Sequence, residues 1–129
     1  MKINAINHIT VNVKDLEISK AFYSRIMGLT ENGFIDMGDH TLTYYDLPGG
    51  VRLELIDYEK KVPAPDHNVT DTGIYRHFCL EVSGLEEFNA FCRREQVNVT
   101  KEYGWVEKLG CYNVLILDPN GVEIELIEK

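Results

Sequence analysis

Two histidines and two glutamates stand at matching places in the two halves of this 129-residue chain. His8 is followed by Glu54 after 46 positions, and His77 is followed by Glu125 after 48 positions. Neutral imidazoles and carboxylates form a mixed nitrogen and oxygen donor set that suits first-row divalent ions and leaves positions open to water or substrate. The four residues therefore indicate a catalytic type of metal site for one divalent ion: Zn, Ni, Co, Mn or Fe.

Each of the four residues lies in a strand-like pattern and is flanked by apolar positions. Successive side chains of a strand point to opposite faces, so each candidate ligand lies opposite the apolar face. The apolar neighbours are Ile9, Val11, Leu53, Leu55, Phe78, Leu80, Ile124 and Leu126. If helices cover the apolar faces, the opposite faces are free to line a shared cavity.

Taken singly, each residue also has a simpler interpretation. A single histidine on a strand is more often a hydrogen-bonded structural or surface residue than a ligand, and a single glutamate on the polar side is usually solvated. Spacing alone leaves both interpretations open. The joint occurrence of four candidates at repeated positions is what favours the metal site.

An internal repeat indicates how the candidates are positioned. When His8 is aligned with His77, three apolar pairs coincide: Val13 with Val82, Leu16 with Leu85, and Phe22 with Phe91. We predict an α+β fold of two βαβββ modules, residues 1–58 and 74–129, whose curved mixed sheets surround a metal-containing cavity. Residues 59–73 are predicted to link the modules within a single domain that spans residues 1–129.

Local signals divide each module into one strand, one helix and three strands. In the first module we expect strands near 3–13, 34–38, 41–47 and 51–58, with a helix that Asp15 caps and Gly28 ends. In the second module we expect a strand over 74–82, a helix opened by the capping box Ser83-x-x-Glu86, strands near 98–104 and 111–117, and a last strand after the turn Asp118-Pro119-Asn120-Gly121.

Composition excludes several classes of partner. A net charge of −8 argues against nucleic acid and against an anionic membrane, because either partner requires a basic face. The three cysteines form no C-x-x-C pair, and their odd number predicts reduced thiols in a cytoplasmic protein. The N-terminal residues lack the apolar segment of a signal peptide, and no window is long and apolar enough to span a bilayer. A small molecule remains the expected ligand.

Three segments carry a resemblance that covers nearly the whole chain. They are Asn7-His8-Ile9-Thr10-Val11 leading to Phe22-Tyr23 and Met27-Gly28-Leu29, then Arg76-His77-Phe78-Cys79-Leu80-Glu81-Val82, and Asp118-Pro119-Asn120-Gly121-Val122-Glu123-Ile124-Glu125-Leu126. With these segments the chain resembles the vicinal oxygen chelate superfamily, which contains glyoxalase I, methylmalonyl-CoA epimerase, extradiol dioxygenases, and fosfomycin and bleomycin resistance proteins. The last segment is the most specific of the three.

The resemblance implies a ligand set and a chemistry. The family's four metal-ligand positions fall on His8, Glu54, His77 and Glu125. Two carboxylates favour the glyoxalase and epimerase side, where a metal acts as Lewis acid on a small α-oxygenated carbonyl compound and stabilises an enediolate. Glu125 is the first choice for the catalytic base that removes the proton, and Glu54 is the second. The resemblance also implies a homodimer.

The resemblance to glyoxalase I itself is incomplete. Glyoxalase I proteins usually follow the second ligand with an Asn-Trp segment that helps to hold glutathione, whereas Glu54 is followed here by Leu55-Ile56-Asp57-Tyr58-Glu59. The chain is more similar to uncharacterised proteins described only as related to lactoylglutathione lyase. Two alternatives stay open: a ring-cleaving extradiol dioxygenase in which Glu54 binds no metal, and a non-enzymatic resistance protein that sequesters a drug-like molecule.

Overall fold

The computed structural model describes residues 1–129, which form two compact units, Met1–Pro63 and Ala64–Lys129. Each unit contains one four-stranded mixed sheet and follows the chain order strand, helix, three strands. The predicted fold class, α+β with two βαβββ modules, is confirmed. The boundary between the units falls inside the segment 59–73 that we predicted as the linker.

The first unit contains four strands, a short α-helix and two irregular turns. They are β1 (His8–Asn12), α1 (Leu16–Ala21), a π-helical turn (Phe22–Ile26), β2 (Glu31–Asp36), β3 (His40–Asp46), a 3₁₀ turn (Pro48–Gly50) and β4 (Arg52–Tyr58). The sheet order is β1-β4-β3-β2. Strand β1 runs parallel to β4, and the other neighbours are antiparallel.

The helix of the first unit begins and ends where the sequence predicts. The Asp15 carboxylate accepts a hydrogen bond from the backbone N–H of Ile18 at 3.0 Å, which is the expected N-cap contact. Gly28 follows the π-helical turn with φ of +68°, a conformation that glycine adopts at little cost. The predicted strand 3–13 was too long. Strand β1 pairs only with β4, and β4 begins at Arg52 because the turn Pro48–Gly50 precedes it, so the residues before His8 have no partner strand.

The second unit repeats this plan with one longer edge strand, β6 (Asn98–Val106). It contains β5 (His77–Glu81), α2 (Leu85–Arg94), β6 (Asn98–Val106), β7 (Cys111–Leu117) and β8 (Glu123–Glu128). The sheet order is β5-β8-β7-β6, with β5 parallel to β8. The predicted strand over 111–117 is confirmed at both ends, whereas the strand predicted over 74–82 covers only His77–Glu81.

The start of α2 differs from the predicted capping box. Gly84, with φ of +76°, is the N-cap, and no side chain of the Ser83-x-x-Glu86 segment caps the helix. Instead Glu128, at the end of β8, accepts hydrogen bonds from the backbone N–H groups of Gly84 at 2.6 Å and Leu85 at 3.4 Å. A carboxylate from a distant strand therefore satisfies the free N–H groups, which local sequence could not reveal.

Each sheet has an apolar face and a face that carries the candidate residues. In the first unit the buried apolar face includes Val11, Leu53, Leu55 and Tyr45, and in the second unit it includes Phe78, Val114, Ile116, Ile124 and Leu126. Tyr23, in the π-helical turn, contacts the ring of Tyr45 with a centroid distance of 6.2 Å. None of the helices is long and apolar enough to cross a membrane.

Candidate functional site

The parallel pairing of the first and last strands of the first unit brings one histidine next to one glutamate. Strands β1 and β4 pair with His8 opposite Arg52 and Thr10 opposite Glu54. Paired residues point to the same side of a sheet, so these four side chains share one face. The His8 Nε2 atom lies 3.8 Å from Glu54 Oε1. The structure therefore brings these two predicted ligands together.

The Glu54 carboxylate is buried and held at both of its oxygens. Its exposed fraction is 6%. The Thr10 hydroxyl donates to Oε1 at 3.1 Å, and the Tyr44 hydroxyl, from β3, donates a short hydrogen bond to Oε2. The hydrogen bond to Glu54, followed by burial and the negative charge of Glu54, raises the pKa of Tyr44. Two hydroxyl donors thus fix the orientation of this carboxylate.

The His8 ring is less constrained than its glutamate partner. Its side chain is 41% exposed. The Nδ1 atom lies 2.8 Å from the Asn7 side-chain oxygen. With the proton on Nδ1 donated to that oxygen, Nε2 keeps its lone pair on the side of Glu54. This tautomer is the one that binds a metal through Nε2.

The second unit repeats the pair on β5 and β8. The His77 Nε2 atom lies 3.2 Å from Glu125 Oε2. The other oxygen of Glu125 accepts a hydrogen bond from the Asn113 side-chain amide at 3.0 Å, and Lys101 in turn donates to the Asn113 side-chain oxygen. The turn before β8 is built by Asp118, whose carboxylate accepts hydrogen bonds from two backbone N–H groups at 2.8 Å. That turn sets the start of the strand that carries Glu125.

A second carboxylate, that of Glu123, lies next to the Nδ1 atom of His77. The Oε1 atom of Glu123 is 3.4 Å from His77 Nδ1 and 2.6 Å from the Arg76 guanidinium. Both Nδ1 and Oε1 are buried, and neither makes a hydrogen bond of standard geometry. Carboxylates in this position commonly orient histidines that bind metals. Glu123 is therefore placed to hold Nδ1 and to leave Nε2 free.

Cys79 lies on the same face of the second sheet as His77, opposite Glu125 in the strand register. Although part of its surface is exposed, desolvation and then the negative charge of Glu125 raise the pKa of this thiol to about 11. The thiol is consequently protonated at neutral pH.

The predicted residues are assembled as two pairs. His8 with Glu54 and His77 with Glu125 are each close enough to act together, and no group of three or more His, Cys, Asp or Glu side chains in residues 1–129 is placed to hold a metal ion. Each pair offers one imidazole nitrogen and one carboxylate oxygen. This donor chemistry fits a first-row divalent ion.

Sequence reasoning missed three residues that hold the pairs: Tyr44, Asn113 and Glu123. Glu123 has the same strand parity as Glu125, and parity could have found it. Tyr44 and Asn113 come from the neighbouring antiparallel strands β3 and β7, so only the cross-strand register shows that they reach the carboxylates.

Comparisons with known proteins give a family and a fold. The sequence profile of the Glyoxalase/Bleomycin resistance protein/Dioxygenase superfamily matches residues 5–126. A glyoxalase family protein from Enterococcus faecalis superposes with a TM-score of 0.80 at 21% identity, covering 99% of this chain and 100% of that one. No curated protein sequence matches the chain.

Two named enzymes share the fold. The trypanothione-dependent glyoxalase I of Leishmania major has a TM-score of 0.75 at 24% identity, covering 98% of this chain and 87% of that one. Lactoylglutathione lyase from Agrobacterium tumefaciens has a TM-score of 0.67 at 24% identity, covering 99% and 96%. At these identities the similarity shows a common architecture.

Proposed function

The chain belongs to the glyoxalase/bleomycin resistance protein/dioxygenase superfamily, and from this membership we propose that it is a divalent-metal-dependent isomerase or lyase of the glyoxalase type. Its substrate would be a small carbonyl compound with a neighbouring oxygen atom. The metal ligands would be His8, Glu54, His77 and Glu125. A bound divalent ion would supply Lewis acidity that stabilises negative charge developing on the substrate oxygen.

One observation carries the proposal. In each unit the Nε2 atom of a histidine lies within 4 Å of a carboxylate oxygen, while its Nδ1 atom faces a side-chain oxygen of another residue. Two histidines on unrelated surface strands would not be expected to share this orientation. The arrangement keeps both Nε2 lone pairs available in the direction of an acidic partner.

The two carboxylates support different roles. Glu54 accepts hydrogen bonds at both oxygens, which fix the orientation of its carboxylate and limit its movement toward a substrate. Glu125 accepts a hydrogen bond from Asn113 at Oε1 and faces His77 with Oε2, and the Cys79 thiol also interacts with this carboxylate. A general base must be able to approach the carbon acid and receive its proton. Glu125 is accordingly the proposed base, and Glu54 is the second choice.

Two pairs must meet around one ion to complete the proposed site. Either both pairs of one chain or one pair from each of two copies could supply the four ligands. We propose a homodimer, in line with the family. Co-purification of separately tagged copies of the chain, together with the mass of the native protein in solution, tests this part of the proposal.

A second candidate function is favoured by the hydrogen bonds at Glu54. Because Tyr44 and Thr10 already engage both oxygens of this buried carboxylate, it could remain outside the coordination sphere. The remaining set of His8, His77 and Glu125 is the two-histidine, one-carboxylate type found in non-haem iron oxygenases. Oxygen uptake with catechol-like compounds by the iron-loaded protein would support this alternative over the isomerase.

Elemental analysis of protein purified without an affinity tag or added metal tests the metal site directly. The wild type should retain about one divalent ion for each proposed four-ligand site, and His77→Ala should lose it. His67→Ala is the matched control, because His67 is exposed and lies outside every helix and strand. Retention of a full equivalent by His77→Ala would exclude His77 as a ligand.

A substrate panel tests the reaction class. Hemithioacetals, 2-methyl-3-oxoacyl thioesters and catechols separate the glyoxalase, epimerase and dioxygenase chemistries. We expect turnover with one of the first two classes and its loss on chelation. Tight binding of a drug-like molecule after chelation, without any turnover across the panel, would instead indicate the non-enzymatic resistance protein.

A further inference from the structure

The two units carry opposite charges at one equivalent position. The residue that pairs with the histidine in the strand register is Arg52 in the first unit and Glu123 in the second. In the second unit Glu123 faces the histidine and binds Arg76. An arginine cannot accept a proton from a histidine, so Arg52 must have another role.

Arg52 has no carboxylate partner. Its guanidinium lies 4.1 Å from the ring centroid of Tyr44 and makes no ion pair, whereas the guanidinium groups of Arg76 and Arg93 each contact a glutamate. Asp46, which is opposite Arg52 on β3, instead accepts a hydrogen bond from Asn32 at 2.7 Å. An arginine without an anionic partner is notable in a chain whose net charge is −8.

The contact with Tyr44 also fixes where the cation lies. Stacking on an aromatic ring leaves the planar donor edge of a guanidinium free. The hydroxyl of the same ring is bound to Glu54, so one tyrosine ring separates the cation from the proposed metal ligand.

We propose that Arg52 binds an oxyanion group of the substrate, a carboxylate or a phosphate, beside the His8 and Glu54 pair. This inference rests on the proposed function, because it makes the substrate an anionic member of the α-oxygenated carbonyl class. The guanidinium fork matches the two oxygens of such a group, and the contact is charge-assisted. The carbonyl end of the same molecule would then lie on the side of Glu54.

Anion binding by the metal-free protein tests the site without any assumption about turnover. Acetate and inorganic phosphate are titrated separately, and the Nε–Hε resonance of Arg52 is followed by NMR. We expect saturable binding of one or both anions in the wild type, about tenfold weaker binding in Arg52→Gln, and an intermediate loss in Arg52→Lys, which keeps the charge but not the fork. The preferred anion identifies which oxyanion the site accepts.

The matched control is Arg94→Gln. Arg94 also lies over an aromatic ring, 5.9 Å from the centroid of Phe91, and it makes no ion pair, but it is on α2. Its replacement should leave anion affinity unchanged. An equal loss in Arg94→Gln, an unchanged affinity in Arg52→Gln, or no saturable binding of either anion by the wild type would overturn the proposal.

Kinetics with the metal-loaded protein separate this inference from the proposed function. The hemithioacetals of methylglyoxal with mercaptoacetate and with 2-mercaptoethanol share the reacting carbon and differ in one carboxylate. Arg52→Gln should raise KM about tenfold for the first compound and leave the second unchanged, with kcat preserved for both. If Arg52→Gln changed KM by the same factor for the two compounds, the result would contradict the role of Arg52. Absence of turnover with both would count against the glyoxalase chemistry, and the anion titration would still decide the role of Arg52.

Discussion

The two units of this protein share a backbone plan but surround their histidine and glutamate pairs with different side chains. In the first unit the carboxylate of Glu54 is fixed by two hydroxyl donors, and His8 is partly exposed. In the second unit His77 faces a carboxylate at each ring nitrogen, and Glu125 receives one amide donor. The first unit thus holds its carboxylate with two hydrogen bonds, whereas the second unit places an acidic group near each nitrogen of its histidine.

This difference indicates what an internal repeat preserves. The strand order and the register of the first and last strands are the same in both units, so the histidine and glutamate positions are equivalent. The side chains around those positions differ, including the charge reversal between Arg52 and Glu123. We interpret the divergence as a division of roles between a fixed ligand, Glu54, and a carboxylate that is freer to accept a proton, Glu125.

The largest expected effect comes from exchanging each glutamate for its amide. Glu125→Gln should lower kcat by about 10²–10⁴-fold with the best substrate of the panel, since the variant lacks the proposed base. Glu54→Gln should act mainly on metal affinity, and kcat at saturating metal should fall less. Steady-state kinetics at saturating metal make the comparison. A larger fall in kcat for Glu54→Gln than for Glu125→Gln would reverse the proposed roles.

An intermediate effect is expected from the side chains that face the Nδ1 atoms of the two histidines. Glu123→Ala should weaken metal binding by about 10–100-fold, because His77 loses the carboxylate that faces Nδ1. Asn7→Ala should have a smaller effect, because a neutral acceptor contributes about half as much as a charged one. Metal affinity is measured by competition with a chelator, and ¹⁵N shifts of the metal-free protein report the tautomer of each ring.

The control for this experiment is Glu81→Ala. Glu81 lies on β5, the strand of His77, but it is exposed and contacts Lys129 at 3.1 Å. Its removal should therefore leave both the tautomer of His77 and the metal affinity as in the wild type. If Glu123→Ala leaves the His77 tautomer unchanged, Glu123 does not orient the ring, and this difference between the two units is removed.

The smallest effect is on stability and concerns the fixed carboxylate. Tyr44→Phe removes a hydroxyl donor from the buried Glu54 and should lower the free energy of unfolding by about 1–3 kcal/mol. Tyr112→Phe is the matched control, because Tyr112 is 38% exposed and its hydroxyl makes no hydrogen bond. Urea unfolding of the metal-free proteins measures both. A change for Tyr44→Phe no larger than that for Tyr112→Phe would show that Glu54 is not held as described.

Much of the fold could be predicted because its signals are local or periodic. Asp15 caps α1 as expected, and Gly28 follows the helical turn with the positive φ that ends it. The start of α2 could not be predicted in the same way. Its N–H groups are satisfied by Glu128, 43 or 44 positions away, and a contact between distant segments leaves no pattern in the neighbouring sequence.

The amino-acid sequence alone was sufficient to predict the two βαβββ modules and the family, and to place the four candidate residues opposite the apolar faces of their strands. Alternation and repetition are sufficient for this, because strand parity decides which face a residue occupies and duplication copies the register. The folded chain was needed to show that histidine and glutamate meet as two pairs, that Tyr44 and Asn113 hold the two carboxylates, and that Glu123 faces His77. It was also needed to show that Arg52 lies over Tyr44 without an acidic partner. These contacts depend on the side-chain directions of neighbouring strands, which the order of residues along one strand does not specify.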